Sequence, residues 1–147
     1  MDKGIYCLIF ENPGRTIHVG ALGDLMFQPG WYIYIGSALG SGGLKRLWRH
    51  ISLAYLQDKR PKWHVDYLLV HPDFSLRYAI YAVTGKPFEC ILARSFFEPG
   101  VPAFGSSDCN CSSHLFYRSS DPKKEILTAF RKLQLAPVIK TIINPQV

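Results

Sequence analysis

The chain has 147 residues, enough for one domain of ordinary size, and 48% of them are hydrophobic, which excludes intrinsic disorder. Its apolar runs are far too short to cross a bilayer, and its first residues carry no signal-peptide pattern, so a cytosolic protein with reduced thiols is expected. The net charge of +6 suits a polyanionic partner, because each Lys or Arg that meets a phosphate releases a counterion.

In chain order, Gly4 to Phe10 reads as a strand ending at Asn12-Pro13-Gly14, and Thr16 to Val19 as a short partner strand. Trp31 to Ile35 gives the strongest strand signal. Gly40 to Gly43 then opens a helix running from Leu44 to about Tyr55, with Leu44, Leu47, Trp48 and Ile51 as its buried stripe. Trp63, Tyr67 and Val70 suggest a second helix ending near His71-Pro72, Leu76 to Val83 a strand, and a third helix is expected from about Phe88 to Phe97. Residues 98–113 read as loop. Asp121-Pro122 starts a last helix with Ile126, Leu127, Phe130 and Leu133 on its apolar face. The order predicts an α+β domain: a small, mainly antiparallel sheet flanked by helices, with an added C-terminal loop and helix.

Two tyrosines stand on successive strands, in Gly4-Ile5-Tyr6 and Tyr34-Ile35-Gly36. If the strands pair, both phenols can share one face of the sheet. Arg46 and His50 lie four residues apart on the following helix and share a face, with Arg49 off it. Lys45, Arg46, Arg49, Lys59, Arg60 and Lys62 crowd one stretch opposed only by Asp58, which is either a solvated face or a phosphate-binding one. Glu89, just after Pro87, suits the dipole at a helix start as well as a functional role.

Together, Gly4-Ile5-Tyr6, Tyr34-Ile35-Gly36-Ser37-Ala38, Lys45-Arg46-Leu47-Trp48-Arg49-His50 and Glu89 resemble the signature of the GIY-YIG nucleases, in its proper order, over roughly residues 4–97. Homing endonucleases and the excision-repair nuclease subunit belong to that superfamily. Lys62 to Asp66 and Ser106 to His114 resemble a stand-alone archaeal and bacterial branch, itself similar to modules fused to base-excision glycosylases.

The resemblance implies a catalytic set of Tyr6, Tyr34, Arg46, His50 and Glu89. Tyr6 would be the general base for water, Tyr34 would position the nucleophile, and Arg46 would hold the scissile phosphate. His50 would assist proton transfer, and Glu89 would anchor Mg²⁺ or Mn²⁺. A phenol needs nearby cations to act as a base near neutrality, and Arg46 and the metal are the cations expected to favour the Tyr6 phenolate. Lys45, Arg49, Lys59, Arg60, Lys62 and His64 would bind nucleic acid. The asparagine that such nucleases often carry after the glutamate has no clear counterpart, since Asn110 falls inside a cysteine cluster.

The implied activity is metal-dependent hydrolysis of DNA phosphodiester bonds, in repair or recombination. Composition does not separate DNA from RNA, nor a monomer from a homodimer. The alternatives are a non-catalytic nucleic-acid-binding module and a metal-stapled interaction domain of a repair complex.

Cys109, Cys111 and His114 form C-x-C-x-x-H. Thiolates and imidazole are natural Zn²⁺ ligands, but a structural site needs four. The cluster reads equally as a polar turn or, through His114, as a wall of the phosphate site. Cys7, Cys90, Trp48 and Trp63 read as core. Asp66 could cap a helix or orient a basic side chain.

Overall fold

Gly4–Asn12 forms β1, whose two edges are both occupied: by β4 (Gly30–Ala38) on one side and β5 (Ser75–Val83) on the other. The computed structural model describes residues 2–96, 101, 104 and 113–142. β6 (Leu115–Arg118) extends the sheet beyond β4, and β7 (Val138–Thr141) extends it beyond β5, so the strand order is β6-β4-β1-β5-β7 with every pair antiparallel. The fold is thus α+β, as expected. The C-terminal part does more than add a loop and helix, because it supplies both edge strands.

The expected Thr16 to Val19 strand exists as β2 (Arg15–His18), but it does not pair with β1. It pairs with β3 (Asp24–Phe27) in a separate hairpin, since no edge of β1 is left to receive it.

Strand alternation divides the core into two layers. Tyr6, Leu8 and Phe10 point to one face, where Leu47, Ile51 and Leu53 of α1 (Lys45–Leu56) and Val65, Leu68 and Leu69 of α2 (His64–Leu69) cover them. Ile5, Cys7 and Ile9 point to the other, against Leu92, Ala93 and Phe96 at α3 (Glu89–Ser95) and Ile126, Ala129 and Phe130 of α4 (Lys123–Lys132). Cys7 is a free, buried thiol, as expected. Cys90 departs from its expected place as a reduced core thiol: it stands on the first turn of α3, half-buried and disulfide-bonded. Among the described residues no helix is long and apolar enough to cross a membrane.

Candidate functional site

Two glycines set the geometry where β1 meets β4. Gly4 lies so close to β5 that a Cβ would stand 2.5 Å from the Ala82 carbonyl oxygen. Gly36 is paired across from Tyr6, and a Cβ there would fall 2.4 Å from Tyr6 Cζ. The Tyr6 ring therefore fills the space a side chain at position 36 would take. Its phenol is directed at His50 on α1, with Tyr6 Oη and His50 Nε2 2.8 Å apart.

Both groups are buried, and this fixes their charge. Burial and the neighbouring Tyr34 push the Tyr6 phenol well above its ordinary range, outweighing the opposing pull of Arg46 and Arg49. With protein groups alone, desolvation wins over the arginines and Tyr6 stays a phenol. Burial, Arg49 and Arg46 together push His50 down to about 3, so its imidazole is neutral near pH 7. A neutral imidazole accepts at one nitrogen only, so the ring nitrogen that carries the proton sets the direction of the Tyr6–His50 hydrogen bond.

Behind His50 stands Asp66 of α2, itself 1% exposed. Its Oδ2 accepts the backbone N–H groups of Lys62 (2.9 Å) and Trp63 (3.0 Å), which starts the helix. Its Oδ1 faces His50 Nδ1 at 3.8 Å.

The Trp63 ring organises the cations. The Arg46 guanidinium carbon lies 4.4 Å from its centroid, that of Arg49 4.2 Å, and Lys62 Nζ 5.6 Å. Two expectations change here. Arg49 is not off the site's face: it is half-buried and stacks on the same indole as Arg46. Trp63 is not a core residue, because its ring binds guanidinium groups instead of joining either apolar layer. Trp48 does pack against the core, edge-on to Tyr81. Arg46 is exposed, with Nη1 donating to the Ser37 carbonyl at 3.2 Å, at the end of β4.

Glu89 arrives from the opposite layer as the first residue of α3. Its Oε1 lies 2.9 Å from Nδ1 of His114, which is fully buried just before β6 and accepts the Ile35 N–H through its carbonyl. Burial raises the Glu89 carboxyl, but hydrogen bonding and charge at His114, a hydrogen bond from Ser37 and the Arg46 charge outweigh it, leaving it below the ordinary range. Glu89 also acts electrostatically on Tyr6.

Tyr6, Tyr34, Arg46, His50 and Glu89 thus converge at one end of the sheet. Tyr34 is half-buried, edge-on to Phe104, and near enough to Tyr6 to raise its pKa. His64 packs against the same Phe104 ring, 5.5 Å between centroids, and burial lowers its pKa. Lys45, Lys59, Arg60 and Lys62 are exposed on α1 and the loop after it. Cys109, Cys111 and Asn110 lie outside the described residues, and among those described no group of three His, Cys, Asp or Glu could hold a metal. Of that cluster, the described His114 lies beside Glu89. Sequence reasoning missed Trp63 as a plate for arginines, since an isolated Trp near a helix start looks like core.

A family model described as a domain of unknown function, DUF123, matches residues 5–135. The chain belongs to that family. No curated protein and no solved structure matches it.

Proposed function

We propose that the protein is a GIY-YIG-type endonuclease that hydrolyses DNA phosphodiester bonds with a divalent ion, Mg²⁺ or Mn²⁺. One observation carries this reading: the two tyrosines, the arginine, the histidine and the glutamate of the motifs, spread over 84 positions from Tyr6 to Glu89, lie close enough to act on one another electrostatically.

The chemistry is consistent with their placement. Arg46 presents an exposed guanidinium, suited to the charge that builds on a phosphoryl group under attack. An attacking water gives its proton to the Tyr6 oxygen as the Tyr6 proton passes to His50 Nε2. The resulting hydroxide bonds to phosphorus, the bond to the leaving oxygen breaks, and that oxygen takes a proton from solvent. In the free protein burial, Arg49 and Arg46 oppose a charged His50. A bound phosphate offsets the two arginines, which eases proton transfer to His50 when substrate is in place.

Glu89 fits a hard divalent cation. Its carboxyl is held ionised and its side chain is 27% exposed. Mg²⁺ commonly takes one or two carboxylates, substrate oxygens and its own waters, so a lone carboxylate suffices. Such an ion would supply charge stabilisation for the leaving oxygen. DNA as substrate, and a role in repair or recombination, follow the motif resemblance.

The test is nicking of supercoiled, branched and damaged DNA with Mg²⁺ or Mn²⁺. Glu89→Ala should abolish cleavage while DNA binding largely persists. Undiminished cleavage by that variant, or by the wild type in excess chelator, would reject the reading.

A further inference from the structure

Building on the nuclease reading above, we infer that Asp66 is a positioning residue of the site, a buried carboxylate that holds His50 in the tautomer able to take the Tyr6 proton. Its contacts exceed what a helix start requires. One oxygen, Oδ2, already serves the two backbone N–H groups that open α2. The other, Oδ1, is buried and has no hydrogen-bond partner among the described residues, and the same holds for His50 Nδ1, 3.8 Å away. Two buried polar atoms of complementary chemistry therefore face each other across a short gap.

The bond on the other side of the ring is compatible with a proton between them. Tyr6 Oη is 2.8 Å from Nε2, and a phenol can donate there only if Nε2 carries a lone pair. The single ring proton then sits on Nδ1, pointing at a carboxylate that can only accept. The opposite tautomer would set the Nδ1 lone pair against a carboxylate oxygen and block the Tyr6 donation. Among the described residues, Arg46 and Arg49 also act on the ring and the Trp63 face packs against it, and none of these three accepts from an N–H in the ring plane.

At 3.8 Å the contact is electrostatic and not a hydrogen bond. Catalytic hydrogen bonds are often long before substrate binds and tighten afterwards. When the Tyr6 proton reaches Nε2, the imidazolium carries both protons and the Asp66 charge balances it.

Asp66→Asn separates this role from helix capping. Its side-chain carbonyl can still accept from Lys62 and Trp63, but its NH₂ would face Nδ1 and favour the Nε2–H tautomer. Three readouts apply to the full chain: thermal midpoint, kcat and KM for nicking, and the His50 tautomer from ¹⁵N NMR. The expected result is a near wild-type midpoint, KM within about 3-fold and kcat lower by about 100-fold or more, in the range of a lost general base. The ring proton should move from Nδ1 to Nε2. A wild-type His50 protonated on Nε2 would overturn the inference, as would an Asn variant with wild-type kcat or an unmoved tautomer. If the wild type cuts no DNA, the nuclease reading fails, and the two NMR spectra alone decide for or against Asp66.

Discussion

Tyr6 occupies the volume in which a side chain at residue 36 would grow: a Cβ on Gly36 would meet Tyr6 Cζ at 2.4 Å and its hydroxyl oxygen at 2.5 Å. The glycine of one motif is therefore the cradle for the tyrosine of the other, and the two must be read as one unit.

Gly36→Ala should displace the Tyr6 ring, break its bond to His50 and cost about 1–3 kcal/mol, the usual range for overpacking a filled core. Denaturant unfolding would measure the loss, and nicking should fall with it. A variant as stable and as active as wild type would show that Tyr6 does not need this space.

His50 predicts an acid limb in the stability curve. Its folded pKa of about 3 lies below the ordinary 6.5, so between those values the unfolded chain binds a proton that the folded chain refuses. Stability contributed this way is complete above pH 6.5, declines as pH falls through the window and levels off near 3. The full effect is of order a few kcal/mol. His50→Gln removes the titrating group, so the difference in unfolding free energy between the two proteins should narrow as pH falls from 7 to 4. Parallel curves would mean that His50 titrates normally in the fold.

Trp63→Leu should leave both arginine charges present but loose. Each cation–π contact is worth about 0.5–1 kcal/mol, so DNA binding should weaken roughly 5- to 30-fold for the pair. The slope of affinity against salt should stay near wild type, because no phosphate contact loses its charge. Arg49→Ala should instead make that slope shallower. A steep change in slope for Trp63→Leu would place the indole itself against nucleic acid.

Much of this arrangement was legible in the sequence where the signal is local. β1, β4 and β5 are nine-residue stretches rich in strand-forming residues, and α1 and α4 carry regular apolar stripes. β3, β6 and β7 have four residues each and owe their existence to the strand they pair with, which no local pattern reports. The same division runs through the site. Motif residues announce themselves by order and spacing, whereas Asp66 looks like a helix start and Trp63 like core until α2 is laid beside α1. His114 stood out only as a member of the cysteine cluster, and its pairing with Glu89 depends on β6 joining the edge of β4.

Tyr6, Arg46 and His50 are held by the layer under α1, whereas Glu89 is delivered by α3 from the layer behind the sheet. A molecule with only one layer docked keeps either Arg46 and His50 or Glu89 in place, never both. On the nuclease reading, cleavage would then require both halves of the core to be assembled at once, and a nascent or partly melted chain would be expected to leave DNA uncut.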